Sequence, residues 1–396
     1  MTRHLLKQAA MSLIKLLLFI TLMFFIVQIV MPGDFVDQFA MFLSGAEREQ
    51  LRARLGLDLP MYRQYWNWLT DVLQGDLGLS GYGFPVTRAI DIVLPPTLLV
   101  FVPGTLIAFG LGLVLGKRTA WRGPDLLTGA TTFSGIALFT SFPPWLAWLV
   151  AYLFGRQASV SRGQDGGIGR LAFPHVDRLL WIGTDLRPLD VTRRMVGIIT
   201  VVALVILALS YLVKRYSRGR VRIPGWAQVL VLGAVVVGIW YAQDIHLYAF
   251  DLLRSAALPL LTYVLLIFGE TMVIMQSTMT EVMKEEYIKA ARAKGLPERV
   301  VREKHAARNA LLPVLSRLFI SLPYLLAGIV IIEDSVNWPG MGTMMFTSLY
   351  WQDIPVVMGV LLMIGVLALI ARLFLDVLTA YMDPRIRFGE GESLAR

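Results

Sequence analysis

The amino-acid sequence predicts an all-α polytopic membrane protein. Of its 396 residues, 56% are hydrophobic and only 16% are charged, whereas soluble domains contain about 25% charged residues. Eight apolar runs are long enough for a helix to cross a bilayer, which takes about 20 residues. They are residues 13–31, 97–116, 130–154, 196–213, 226–242, 257–276, 314–332 and 355–380, with the fourth and fifth short.

The first run follows a positively charged start and therefore mimics a signal peptide. Leu13 to Met31 is long for the apolar core of such a peptide and lacks a small-x-small cleavage site. We predict a retained first span.

Lysine and arginine predict the orientation of the spans. Segments 1–15, 117–128, 214–225, 277–313 and 383–396 hold 22 basic residues in 90 positions, and the alternate segments hold 13 in 140. Because cytoplasmic loops are enriched in Lys and Arg, we expect a multi-pass membrane protein with both termini in the cytoplasm. This distribution assigns the net charge of +9 to membrane orientation rather than to nucleic-acid binding.

Two longer segments flank the second and third spans, and each begins with a loop on the predicted outer side. In residues 32–96, Glu47–Leu57 and Tyr62–Leu73 are predicted as short amphipathic helices, followed by a turn at Gly75–Ser80. In residues 155–256, Gly163–Gly169 is rich in turn formers, Phe173–Asp190 could carry a small ordered element, and two further spans follow.

A polar segment, Glu281–Pro313, separates two apolar runs on the predicted inner side. Glu281–Lys294 is rich in good helix formers, Gly295 suits a left-handed helix stop, and Pro297 suits the first turn of a new helix. Ala290 and Ala291 leave a low profile that another protein could approach. The alternative is an ordinary solvated loop.

Ionisable residues inside predicted spans are candidates for function. Glu270 lies in the sixth span. Either it lines a substrate path, with Met272 and Gln276, and meets an amine of the ligand, or it is a structural carboxyl group that is protonated or is paired with Arg317 or a partner subunit. The Met272, Met275 and Met279 stripe is expected to be core packing, although a Met-rich wall would also suit varied ligands. Arg372 and Asp376 are expected to pair on one face of the last helix.

Several chemistries are excluded or disfavoured. The chain has no cysteine and four histidines without metal-ligand spacing. Gly116-Lys117-Arg118 does not complete a phosphate-binding loop, because position 111 is Leu and Arg118 replaces Ser or Thr. We therefore expect no ATPase site, catalytic residue, metal or cofactor in this chain.

Longer motifs resemble the permeases of binding-protein-dependent ABC importers, in particular their peptide/nickel class. Tyr287–Leu296, followed by His305 and Arg308–Pro313, is similar to the "EAA" loop of these permeases, with Lys289 where the general motif has Glu. Further similar segments flank it on both sides. They are Met31–Asp34, Leu55–Pro60, Gly75–Ser80, Glu333–Gly342, Asp353–Gly359 and Met382–Arg387.

The resemblance implies a type I importer core of six transmembrane helices, to which residues 155–256 add two. It divides the chain into 1–31, 32–96, 97–154, 155–256, 257–382 with a coupling loop at 281–313, and a cytoplasmic tail at 383–396. It also implies a homologous second permease, two ATPase subunits that hold ATP and Mg²⁺, an external solute-binding protein and membrane lipids as partners. The residues expected to contact the ATPase are Glu285, Glu286, Tyr287, Lys289, Ala290, Ala291, Lys294, Gly295 and Leu296.

One rival function is a secondary transporter driven by an ion gradient, with Glu270 as its coupling site; another is a membrane enzyme. The proteins that co-purify with the chain would separate all three. Peptides are the expected substrate, but nickel complexes and oligosaccharides stay open.

Overall fold

The computed structural model describes residues 2–31, 33–39, 41–155, 184, 186–217 and 224–382, without the side chains of residues 2–9, 155 and 374–382. This part of the chain is helical, as expected. Its helices are α1 Thr2–Val30, α2 Gly45–Leu55, α3 Met61–Leu73, α4 Val86–Arg122, α5 Leu126–Phe139, α6 Pro143–Val150, α7 Pro188–Tyr216, α8 Gly225–Ala242, α9 His246–Val282, α10 Glu286–Ala293, α11 Ala307–Ser335, α12 Met341–Tyr350 and α13 Ile354–Met382.

Three predicted spans differ from the helices observed. The predicted continuous span 130–154 is two helices, α5 and α6, bent by 110°, because Pro143 and Pro144 cannot continue the helix of α5. The fourth span was predicted to be short, but α7 has 29 residues. The second span starts at Val86, since α4 continues through Pro95, Pro96 and Pro103; transmembrane helices tolerate proline when neighbours satisfy the freed backbone groups.

The centre of the fold is the contact between α4 and α9, two helices of 37 residues each. Glycines on α4 bring the two backbones together. A Cβ at Gly112 would lie 2.7 Å from the carbonyl oxygen of Phe268, and one at Gly116 would lie 2.6 Å from that of Met272. Small residues allow this close approach between membrane helices.

Contacts between distant segments fix which ends of the helices share a side. Trp121, at the end of α4, lies against Arg292 and Arg302, which follow α9. An even number of crossings must therefore separate α4 from the segment after α9. The helices α7, α8 and α9 each have the length and composition of a span, and the bent pair α5–α6 passes the same test when it is taken as one unit. The described residues thus hold seven helices that could cross a membrane, or eight spans if the bent pair is one of them.

The first helix is held against the last helix and α3. Phe24 of α1 packs against Tyr65 and Trp68 of α3, and Ile20 and Met358 share the same buried cluster. The predicted helices in residues 32–96 are confirmed as α2 and α3. Ser44 and Glu47 form a capping box that starts α2, and Gly56 ends it with φ 69°.

The segment between α6 and α9 is described in part. Gly163–Gly169 and most of Phe173–Asp190 lie outside the described residues. The helices α7 and α8 leave long apolar faces exposed, with Leu204 61% and Val229 67% exposed. Such faces suit contact with lipid.

Candidate functional site

The polar segment between α9 and α11 forms a bent connection, residues 283–306, that we call the elbow. The helix α9 ends at Val282, so Glu281 belongs to it rather than to the short helix α10. Gly295 has φ 73° and closes the turn after α10. Pro297 directly precedes the helical turn Glu298–Val300, and Val301–Ala306 leads into α11 as π-helix. The predicted stop at Gly295 and restart at Pro297 are confirmed.

One face of α10 is an apolar anchor. Ile288 and Ala291 are 0% and 6% exposed. They lie one helical turn apart and share a buried cluster with residues of the helices on either side, namely Ala120, Met275, Met279, Val301, Ala306, Ala307, Ala310 and Val314. The expectation that Ala291 is open to another protein is therefore wrong for this structure, because a surface helix buries its apolar stripe. Leu296 is half-buried against the same cluster.

The opposite face of α10 and the turn behind it are exposed. The predicted contact residues on it are Glu285, Glu286, Tyr287, Lys289, Ala290, Lys294 and Gly295. Lys289 pairs with Glu286 at 2.8 Å. The Tyr287 hydroxyl accepts a hydrogen bond from Asn309 Nδ2, also at 2.8 Å, which ties this face to α11.

The end of α4 braces the elbow from a third side. The centroid of the Trp121 ring lies 5.7 Å from the guanidinium carbon of Arg292 and 5.6 Å from that of Arg302. Lys117 Nζ lies 3.1 Å from Glu303 Oε2. The elbow thus contacts α4, α9 and α11 together.

Glu270 forms an ion pair with Arg317, which is one of the arrangements predicted from the sequence. Arg317 Nε donates to Glu270 Oε1 at 3.1 Å, and the Ser321 hydroxyl donates to the same oxygen at 3.2 Å. The glutamate side chain is 14% exposed, whereas that of Arg317 is 56% exposed. The cation, rather than the carboxylate, is the more accessible partner.

The two neighbours predicted to share a path with Glu270 differ from each other. Met272 is fully buried beside Gly135 of α5, as are Met275 and Met279 in the elbow cluster, which supports packing for this stripe. Gln276 is half-buried and its Oε1 accepts a hydrogen bond from Thr132 of α5 at 3.1 Å. A place in a substrate path stays a prediction for Glu270, Met272 and Gln276. The predicted Arg372–Asp376 pair lies outside the described side chains.

A second carboxyl group, Glu333, was missed by sequence reasoning. It lies at the end of α11, and its side chain is fully buried. Glu333 Oε2 accepts the N–H of Gly342 at 2.7 Å, and Oε1 has no hydrogen-bond partner among the described residues. Around it, Trp338 Nε1 donates to the Pro96 carbonyl and Met341 N–H donates to Thr97 Oγ1. The sequence signal that could have indicated a buried carboxyl group is an acidic residue directly after an apolar run, followed by Gly340 and Gly342.

A cavity of about 420 Å³ opens beside this turn. Asp353, buried at its edge, accepts hydrogen bonds from the Ser80 hydroxyl and the Gly81 N–H. Partial burial raises the pKa of Tyr82 above its usual value, and the negative charge of Asp353 adds to that shift. The lining is mostly apolar and comes from the segment before α4, from α4 and α7, and from the region between the end of α11 and the start of α13, which includes α12.

Comparison with known proteins assigns the family. Residues 180–388 match the binding-protein-dependent transport system inner membrane component, and residues 1–82 match the N-terminal part of such membrane components. A Brucella suis biovar 1 protein named a peptide permease is 30% identical over 94% of this chain and 95% of its own. The oligopeptide transport system permease protein AppB of Bacillus subtilis is 28% identical over 98% of this chain and 100% of its own.

A third relative, the glutathione transport system permease protein GsiC of Escherichia coli O6:H1, is 27% identical over 96% of this chain and 97% of its own. Three observations point to the same family: the sequence motifs at both ends of the chain, the polytopic helical fold and these similarities over nearly the full length. The chain belongs to the binding-protein-dependent transport family of inner-membrane components, as an ABC-importer permease of the peptide class.

Proposed function

We propose that this chain is one of two homologous permease subunits of an ATP-driven importer, which together enclose a path for peptides delivered by an external solute-binding protein. The names of two relatives, which refer to oligopeptide and glutathione transport, support a peptide as the substrate. ATP and Mg²⁺ are held by two partner ATPase subunits, and this chain has no ATPase role of its own.

The elbow is the observation that carries this proposal. Its exposed face is the docking surface for an ATPase subunit, with Glu285, Tyr287, Lys289, Ala290 and Lys294 in contact. Ile288 and Ala291 act from the inside, since they pack on α9 and α11. When the ATPases close on ATP, the elbow moves with them and carries the inner ends of α4, α9 and α11 toward the outward-open arrangement. Packed elements of this kind transmit motion because they shift as units.

The proposed orientation places the elbow and both termini in the cytoplasm. The density of Lys and Arg supports it, and eight crossings put both termini on one side. Residues 32–96 and the cavity beside Glu333 then lie on the outer face, where the solute-binding protein docks. Within this scheme, residues 257–382 are part of the six-span core and residues 155–256 are an appendage of it.

The test is the set of proteins that co-purify with the tagged chain. We expect a second permease and an ATPase with the natural sequence, and loss of the ATPase with Ala290→Trp, because the bulky ring stands on the docking surface. Ala53→Trp, at an exposed alanine of α2, is the matched control and should retain the ATPase. ATPase retained by Ala290→Trp at the normal ratio would contradict this role of the elbow.

A further inference from the structure

The ion pair between α9 and α11 presents its positive member outward. Arg317 uses Nε to contact Glu270, and within the described chain its two terminal nitrogens donate no hydrogen bond. Glu270 also accepts from Ser321 and is largely covered. Any group that approaches this pair from the exposed side therefore meets a guanidinium group first.

Arg317 belongs to an exposed stripe along α11. The other members follow at alternating spacings of three and four residues, which is one helix face: Ile320, Tyr324, Ala327 and Ile331. Tyr324 is 70% exposed. A charged side chain within a span faces a bundle interior or a water-filled path rather than lipid. The stripe is therefore oriented toward the interior of the assembled transporter.

We propose that Arg317 binds the carboxylate of the transported solute, namely the C-terminal carboxylate of a peptide. This proposal rests on the proposed function. The guanidinium group offers a planar fork of donors that matches a carboxylate with two hydrogen bonds. Glu270 and Ser321 hold the base of that fork in place, so Glu270 is a positioning residue and does not receive the peptide amine.

The stripe also offers a contact for the part of the peptide that precedes its C-terminus. Tyr324 is seven residues from Arg317, or about 10 Å along the helix at 1.5 Å per residue. An extended peptide advances about 3.4 Å per residue. A side chain two or three residues before the C-terminus therefore reaches the Tyr324 ring, which supplies apolar contact without selecting a particular side chain.

The test compares import of a library of di- to pentapeptides with free C-termini and of the same library with C-terminal amides. The complete transporter and its binding protein are placed in proteoliposomes, and imported peptides are identified by mass spectrometry. With the natural sequence we expect free acids to enter at least tenfold faster than amides. Arg317→Gln should lower the rate of the acids to that of the amides, and Arg317→Lys should retain an intermediate preference.

Two further variants separate this role from folding or charge in general. Arg193→Gln removes a similarly exposed guanidinium group, which pairs with Asp91 at 2.7 Å, and should leave the acid-to-amide ratio unchanged. Glu270→Gln, at the positioning residue, loses the ion pair but keeps an acceptor for Arg317 Nε, and should lower the acid-to-amide ratio by less than Arg317→Gln does. Assembly of every variant is checked by co-purification of the ATPase.

The outcomes distinguish the two proposals. An acid-to-amide ratio unchanged by Arg317→Gln would place the selectivity in the binding protein and overturn the role of Arg317. An equal loss of acids and amides would assign Arg317 to assembly or lipid contact and overturn it as well. Peptide import without any preference in the natural protein contradicts Arg317 alone, whereas no import of either library also contradicts the proposed peptide function.

Discussion

The two ends of α11 are built in opposite ways. At its N-terminal end, the elbow rests on small and apolar side chains, and its ion pairs are partly exposed, as for Lys117 and Glu303. At its C-terminal end, Glu333 is fully buried and lies against glycines that leave no room for a side chain. Exposed pairs contribute little to stability, whereas breaking a buried polar arrangement costs much more. One end is therefore held by buried polar contacts, and the other presents an exposed surface on an apolar anchor.

The largest effect is expected from a methyl group at Gly342. A Cβ there would overlap the carbonyl oxygen of Val330, which is backbone and cannot move aside. We expect Gly342→Ala to cost on the order of 3 kcal/mol or more, in the range of severe overpacking. The measurement is thermal unfolding in detergent. Gly328→Ala, on α11 with nothing near its Cβ position, should unfold within a degree or two of the natural protein.

Next in size is the loss of the buried carboxyl group. Glu333→Ala leaves the Gly342 N–H without an acceptor and opens a cavity, and we expect a cost of about 2–4 kcal/mol. Glu333→Gln keeps the shape and an acceptor and should cost less than half as much. The same unfolding measurement applies. Equal losses for the two variants would show that the hydrogen bond to Gly342 contributes little.

At the elbow, a substitution in the apolar anchor should affect the coupling of ATP hydrolysis to import more than it affects global stability. Ile288→Ala removes a buried side chain, at a cost of about 2–3 kcal/mol that falls mainly on the seating of α10. We expect the complete transporter to retain ATP hydrolysis while peptide import falls several-fold. Ile288→Val loses one methyl group, and its rate of peptide import should lie between those of the natural protein and Ile288→Ala. Import and hydrolysis that fall in parallel would indicate global unfolding instead.

A smaller effect is expected at the brace between α4 and the elbow. Trp121→Ala removes two cation–π contacts, each about 0.5–1 kcal/mol at a partly exposed site, and should weaken import by less than tenfold. Trp121→Phe should recover part of that loss because a ring face remains.

The smallest effect is expected for Lys117→Gln, which removes a partly exposed ion pair with a contribution below about 1 kcal/mol that salt screens further. Coupled import in proteoliposomes at low and high salt measures it. A large defect from this variant would mean that the elbow end depends on charge more than its exposure indicates.

Much of the fold and of the elbow was predictable because its signals are local. Gly295 and Pro297 mark the turn through backbone conformations that depend on those residues alone. In residues 32–96, α2 carries its own capping box at Ser44 and Glu47, and α3 carries its own apolar periodicity, with Tyr65 and Leu69 buried. By contrast, the bend between α5 and α6 was missed, since the apolar run 130–154 has the composition of one span, and only Pro143 and Pro144 hinted at a break.

The sequence alone determined that the chain is a multi-span helical membrane protein with a polar elbow, because apolar run length, basic residues and turn formers act within about 20 residues. Only the tertiary structure decided that Ala291 faces inward, that Glu270 is paired with Arg317, and that the carboxyl group of Glu333 is buried. Side chains of α9 and α11 bury Ala291, the partner of Glu270 lies 47 residues along the chain, and Glu333 accepts the N–H of Gly342 from the turn after its helix. Burial and partnership are properties of packed helices, and no local pattern carries them.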